Sequence, residues 1–242
     1  MSGGWDESAE AWIAYMGDRG DWAREHVLDA AMLRRADGRG FRTALDVGCG
    51  EGRFCRLLRQ RRIETIGVDP THALIEEARR RDLQGQYRIG RAERLEFADN
   101  QFDLVVSYLT LIDIADFREA IGEMARVLKA GGSLLIANLT SFTSACAEDG
   151  WIRDEQGRGL YYPVDRYLDE FPQWVAWRGI NIENWHRPLG AYMTELLDRG
   201  LVLRFFDEPE PTGGGDPERA SLYRRAPWFL VMEWCKPSTA IT

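Results

Sequence analysis

The stretch Ala44-Leu45-Asp46-Val47-Gly48-Cys49-Gly50-Glu51-Gly52-Arg53-Phe54 constrains the fold of this chain more than any other. Residues 43–47 read as a buried strand, glycines follow at alternate positions, and Phe54, Leu57 and Leu58 recur at helical spacing. The pattern is strand, tight turn, helix. So sharp a turn needs backbone angles that glycine adopts cheaply, and the missing side chains let a ligand approach the main chain where the helix starts. Gly-rich turns also join strands to helices where nothing binds, so the neighbouring segments matter. Ile63-Glu64-Thr65-Ile66-Gly67-Val68-Asp69 reads as a second apolar strand ending in an acid 19 positions after Gly50. In nucleotide-binding folds an acid at that place accepts hydrogen bonds from ribose hydroxyls.

The glycine spacing discriminates between ligands. A dinucleotide fingerprint, Gly-x-Gly-x-x-Gly, would put glycine at position 53, where this chain has Arg53; its third glycine is Gly52. Asp46-Val47-Gly48-Cys49-Gly50-Glu51-Gly52 instead resembles the motif of class I S-adenosylmethionine-dependent methyltransferases, in which an acid ends the first strand and Gly-x-Gly-x-Gly follows. The resemblance to the ubiquinone-biosynthesis-like (type 11) branch runs from Ala44 to Asn138. It includes Phe102-Asp103-Leu104-Val105 and Arg126-Val127-Leu128-Lys129-Ala130-Gly131-Gly132. It implies S-adenosylmethionine as cofactor and S-adenosylhomocysteine as its product. It also implies an α/β, Rossmann-like fold: a seven-stranded, mostly parallel sheet of order 3-2-1-4-5-7-6, the last strand antiparallel, with helices on both faces. Asp69 would hold the ribose, the backbone of Gly48, Cys49 and Gly50 would admit the methionine portion, and Asp46 would order the turn or the ammonium, with Pro70 beside them. The loop after the third strand often carries an acid then Ala against adenine. Here Arg91 stands in the acid's place, leaving the Ala92 backbone and Glu93.

Length and charge set the remaining bounds. A chain of 242 residues suffices for one α/β domain with an elaboration. A formal net charge of -8 argues against nucleic acid as main partner and favours a neutral or cationic small molecule. The cysteines Cys49, Cys55, Cys146 and Cys235 lack metal-ligand spacing, so no metal is expected and a reduced, cytoplasmic protein is. No apolar run is long enough to span a membrane. Oligomeric state is not encoded in any pattern here.

In chain order, residues 7–36 read as helical with a break at Gly17-Asp18-Arg19-Gly20-Asp21, and residues 1–40 as an N-terminal helical flap on a methyltransferase domain of residues 41–242. Tyr87 to Gly90, residues 102–107 and residues 133–137 read as the next three strands. Ser107 and Tyr108 end the fourth strand, where side chains of an open parallel sheet line the ligand crevice. Residues 139–187 break the strand–helix alternation and form an inserted lid between the fifth strand and the next helix, residues 189–198. Leu201 to Phe206 and Trp228 to Trp234 supply the last strands, across a Pro- and Gly-rich loop, Glu208 to Gly215.

Of nine tryptophans, all but Trp228 and Trp234 fall in the flap or the lid. Each singly reads as packing; as a set they point to an aromatic or heterocyclic acceptor, with Tyr15, Trp22, Trp177 and Trp185 as candidate substrate contacts. His186 is the candidate base, against the alternative of a histidine that fixes the lid. No catalytic triad emerges. Methyl transfer to O, N or C of a small molecule needs little beyond alignment and water exclusion. Two other classes stay open: an NAD(P)-dependent oxidoreductase, and a non-catalytic binding subunit on the same fold.

Overall fold

The computed structural model describes residues 3–146, 150–213 and 216–238. Helix α1 (Trp5–Met16) ends at Gly17, and a single π turn (Arg24–Leu28) leads into α2 (Asp29–Ala36). Then follow β1 (Thr43–Val47), α3 (Arg53–Arg59), β2 (Glu64–Asp69), α4 (His72–Arg81), β3 (Gln86–Ile89) and β4 (Phe102–Tyr108). A 3-10 turn (Leu111–Asp113) precedes α5 (Phe117–Val127) and β5 (Leu128–Leu139). Beyond lie α6 (Ser141–Ser144), the hairpins β6 (Ile152–Arg153)–β7 (Gly159–Tyr161) and β8 (Phe171–Trp177)–β9 (Ile180–His186), α7 (Leu189–Asp198), β10 (Val202–Asp207), α8 (Pro217–Arg225) and β11 (Phe229–Cys235).

The main sheet has the order β3-β2-β1-β4-β5-β11-β10, parallel except for β11, which runs antiparallel to both neighbours. Counted within the sheet, this is the 3-2-1-4-5-7-6 order expected. Strand periodicity divides the core. Leu45, Val47, Val105, Leu134, Ile136, Met232 and Trp234 pack with α5 and α7 on one face. Ala44, Leu104, Val106, Leu135, Ala137 and Val231 pack with α2 and α3 on the other. α5 shows why its segment is helical: Phe117, Ala120, Ile121 and Met124 recur on one buried stripe, and the Asp116 side chain caps the first turn by accepting from the Glu119 amide.

The N-terminal 40 residues divide between two tasks. α2 is part of the layer that covers the sheet, through Ala31, Met32 and Leu33. α1 lies over the ligand end, where Ala9, Trp12 and Met16 pack against Leu74 of α4 and against Ile180 and Ile182 of β9. Polar ties hold α1 to the hairpin: Ser8 Oγ donates to the Asn181 carbonyl and accepts from the Asn181 amide, and the Glu183 amide donates to the Gly3 carbonyl at 2.8 Å. The segment read as a lid is thus two short hairpins, one of them joined to the flap. α8, which interrupts the expected loop between the last strands, starts at Asp216, whose side chain accepts from the Glu218 and Arg219 amides, with Pro217 in the first turn. Gly214 and Gly215 of that loop lie outside the described residues.

One buried cation fixes the end of the inserted segment to the link between β4 and α5. Arg187 is 1% exposed and donates to the carbonyls of Leu111, Ile114 and Ala115, at 3.1, 2.6 and 2.9 Å, with its guanidinium over the Phe117 and Trp185 rings. Replacing it with an apolar chain of similar reach leaves the buried carbonyls of Leu111 and Ile114 without this donor, and that of Ala115 open to water. Arg187→Met should lower unfolding free energy by about 3 kcal/mol, read as a lower urea midpoint at unchanged slope.

Candidate functional site

The turn after β1 is built by the last two residues of β2. The Gly48 and Cys49 amides both donate to the Val68 carbonyl, at 2.7 and 3.0 Å. The Gly50 amide donates to Asp69 Oδ2 at 3.0 Å, and the Thr71 amide to Asp69 Oδ1 at 2.9 Å. Gly48, with φ of +74°, leaves no room for a side chain: a Cβ there would lie 2.1 Å from Thr110 Cγ2. Gly50, with φ of +53°, faces open space, its Cβ position meeting nothing nearer than Trp12 Nε1 at 3.8 Å. The first glycine serves packing and the second leaves backbone bare toward a cavity.

That cavity has a volume of about 750 Å³ and is roofed by α1 and the β8–β9 hairpin. Part of its wall is acidic. Asp46, 1% exposed, accepts from the Cys55 thiol through Oδ2 at 3.2 Å, while Oδ1 has no partner; burial pushes its pKa up to about 7. Glu51 accepts from Trp12 Nε1 through Oε2 at 3.0 Å, and its Oε1 has no partner. Asp69 is pushed up by burial against the opposing pull of its amide bonds. Asp113 is pushed well up by burial and by the neighbouring charge of Asp69, although Asn184 Nδ2 donates to it at 2.5 Å. Buried carboxylates with orphaned oxygens await hydrogen-bond donors or positive charge. Backbone strain marks the same wall: Leu109, just after β4, has a φ of +56°.

Most of the residues expected from sequence converge here. Asp46, Gly48, Cys49, Gly50, Asp69 and Pro70 line the cavity, as do Ala92, Glu93 and Tyr108, and so do Tyr15 and Trp177. Glu93 is held by Arg91 at 2.8 Å, and the Tyr108 hydroxyl donates to Asp29 at 2.9 Å.

Four of the expected residues lie elsewhere. Ser107, fully buried, shares the strand face of Val105, pointing into the α5–α7 core while β1 and β5 pair on either side of it. Trp22 stands behind the wall, its ring against Tyr223 and His26. Trp185 lies beneath the Arg187 guanidinium, outside the wall. His186 is fully buried, Nε2 bonding the Tyr167 carbonyl at 2.9 Å and Nδ1 the Ser144 hydroxyl at 2.8 Å. Because a carbonyl only accepts, Nε2 carries the proton and Nδ1 accepts from Ser144. Burial lowers the imidazole pKa, and no ring nitrogen meets the cavity, so His186 ties the end of β9 to Ser144 of α6 and to Tyr167.

Sequence reasoning missed Glu51, Thr110, Asp113 and Asn184, and the aromatic wall of Tyr162, Tyr223 and Trp228. Glu51 stood inside the glycine motif and Asp113 just beyond the fourth strand, which was signal enough to include both. Tyr223 and Trp228 reach the cavity only because α8 folds back beside the lid. No group of three or more His, Cys, Asp or Glu side chains able to hold a metal occurs among the described residues.

Strand order and glycine turn together match the fold of the class I S-adenosylmethionine-dependent methyltransferases, with the β2 acid and the acidic cavity at its ligand end. The cofactor's ammonium, sulfonium, ribose hydroxyls and adenine amine are all cationic or donating. They fit the unpartnered oxygens of Asp46 and Glu51 and the bare face of Gly50.

Comparison with known proteins agrees. Residues 45–136 match a methyltransferase domain family. The chain is 32% identical over 123 residues to a malonyl-[acyl-carrier protein] O-methyltransferase of Salmonella typhimurium, covering 51% of this chain and 46% of the relative. It is 33% identical over 97 residues to a demethylmenaquinone methyltransferase of Thermotoga maritima, covering 39% and 42%. The chain thus spans under half the length of these curated relatives. The crystal structure of an S-adenosylmethionine-dependent methyltransferase from Mesorhizobium loti superposes with a TM-score of 0.74 at 27% identity, covering 86% of this chain and 96% of that one. Residues 45–136 are thus similar to a methyltransferase domain, on a chain whose fold is shared with solved S-adenosylmethionine-dependent methyltransferases.

The Asp46 environment sets a pH signature. Its folded pKa, about 7, lies above the ordinary 3.8, so its contribution to stability is greatest below pH 4 and is lost as pH rises toward 7. Asp46→Asn, which does not titrate, should gain on the wild type by about 1–4 kcal/mol between pH 4 and pH 8. Urea unfolding at the two pH values reads the difference.

Proposed function

We propose that the protein transfers a methyl group from S-adenosylmethionine to a nucleophilic O, N or C atom of a small aromatic or heterocyclic molecule. One observation carries this reading: a single cavity joins the acidic wall beside the glycine turn to an aromatic wall built from Tyr162, Tyr223 and Trp228. When bound, S-adenosylmethionine supplies an electrophilic methyl group on a sulfonium that is already a good leaving group.

The chain's own residues bind, align and exclude water. Asp69 takes ribose hydroxyl hydrogens on the lone pairs that its two amide bonds leave free. Asp46 and Glu51 receive the cationic methionine portion, beside the bare backbone of Gly50. Ala92 and Glu93 meet the adenine. Tyr15 and Trp177, from the two halves of the roof, close over the acceptor. With both nitrogens of His186 engaged, no histidine base is assigned, and the acceptor enters with its nucleophile already deprotonated or readily so. We read residues 1–40 and 139–187 as elaborations on one domain, the latter with α1 forming the substrate cover. We place the protein in the cytoplasm, in keeping with its free cysteines. The names of the two relatives, one acting on malonyl-acyl-carrier protein and one on demethylmenaquinone, support a metabolite-type acceptor.

The test is isothermal titration with S-adenosylhomocysteine, with NAD as control. Micromolar binding of the first and none of the second is expected. Asp69→Ala should weaken S-adenosylhomocysteine by about 1–3 kcal/mol, the range for a hydrogen bond to a charged group. Tight NAD binding would replace this reading with the oxidoreductase.

A further inference from the structure

We infer that the aromatic part of the cavity contains an anion subsite, centred on Arg219, and that the methyl acceptor is an aromatic compound bearing a carboxylate. The inference deepens the methyl-transfer reading and rests on it for the word acceptor. It begins with the cations of the wall. Four arginines line the cavity: Arg24, Arg53, Arg91 and Arg219. Three are neutralised by the protein itself. Arg24 pairs with Asp21 at 2.9 Å, Arg53 grips both oxygens of Asp29, and Arg91 pairs with Glu93 at 2.8 Å. Arg219 has no carboxylate within 4.0 Å among the described residues.

Its surroundings are aromatic. The guanidinium lies over the Trp22 ring at 4.7 Å and near that of Tyr223 at 5.9 Å. Tyr223 stacks on Trp228, with centroids 5.4 Å apart and planes at 18°, and the edge of Tyr162 meets Trp228 at 5.9 Å. A guanidinium lying on a ring face keeps its hydrogen-bond donors in its own plane, a fork that matches a carboxylate. The platform is also fixed in place. Asp216 and Pro217 start α8, and Arg225 at its end donates to the carbonyls of Gly159 and Leu160 at 2.7 and 2.9 Å. α8 buries no residue in a core of its own, so its role is to present this wall.

The charges of the cavity are thereby sorted. The carboxylates Asp46, Glu51, Asp69 and Asp113 serve the cationic cofactor. An anionic acceptor entering there would meet like charge, whereas the aromatic part offers flat rings and one uncompensated cation. Charge therefore sorts the two ligands to different parts of one cavity.

The experiment uses the full chain saturated with S-adenosylhomocysteine. It is titrated by tryptophan fluorescence with salicylate, anthranilate and indole-3-carboxylate, each beside its neutral carboxamide. At least one acid is expected to bind ten-fold or more tighter than its amide. Arg219→Gln should abolish that preference while leaving S-adenosylhomocysteine affinity within two-fold, which also reports that the variant is folded; Arg219→Lys should keep part of it. Equal binding of acid and amide to the wild type, absence of acid binding, or a preference that survives in Arg219→Gln would each overturn the subsite. Titration without S-adenosylhomocysteine separates the two readings. An acid preference that depends on Arg219 in a protein that does not bind S-adenosylhomocysteine supports the anion subsite and overturns the cofactor reading.

Discussion

The bonds from the turn after β1 to the end of β2 are what the rest of the molecule depends on. The Val68 carbonyl holds two successive amides, and the Asp69 carboxylate bridges a third, from Gly50, to the amide of Thr71. Each end of the two central strands is therefore defined by the other. The bridge satisfies amides that would otherwise be orphaned at the starts of α3 and α4, and it costs Asp69 much of its hydration. A carboxylate so fixed is pre-organised: its remaining lone pairs point where they do before any ligand arrives, so binding pays little to orient them.

Around that bridge the protein gathers more negative charge than it neutralises. Folding tolerates this partly because Asp46 and Asp113 are pushed toward their protonated forms by burial. The cost of concentrating acids is thus shifted into a protonation equilibrium, which a cationic ligand can reverse on arrival. Elsewhere the same problem is solved by pairing. Glu233, 1% exposed in β11, accepts from Ser133 and from the guanidiniums of Arg35 and Arg39, and stays well ionised. The contrast between a matched buried acid under α2 and mismatched ones in the cavity marks where the molecule is built for itself and where it is built for something else.

Much of this was legible in the sequence, for definable reasons. The parallel core strands are continuous apolar runs, and the glycines sit where positive φ is required, so order and turn could be read from Ala44 to Asn138. The helix at residues 189–198 was legible from its period. The lid was not. In β8 burial alternates between half-buried and exposed along the whole strand, a period-2 pattern too shallow to separate from coil. Asn184 and His186 looked alike as polar residues near a site, yet Asn184 reaches Asp113 while His186 turns to Ser144 and Tyr167. Only the path of β9 decides between them. The π turn at Arg24–Leu28 is likewise invisible to a helical period, although it is what lets Arg24 reach the wall and α2 the sheet.

The cover of the site is made of parts that lie far apart along the chain. Ser8 and Asn181 meet across 173 positions. During synthesis α1 emerges long before β9, with Ala9, Trp12 and Met16 already on one stripe, and must wait for it before that stripe is fully enclosed. At about 5–20 residues per second the wait is roughly 10–30 s. Over that interval the nascent chain carries an amphipathic, tryptophan-bearing helix without its final partner. The ligand chamber closes only once β9 has formed, so a polypeptide that stops before β9 has the nucleotide-type turn but lacks the hairpin half of its roof.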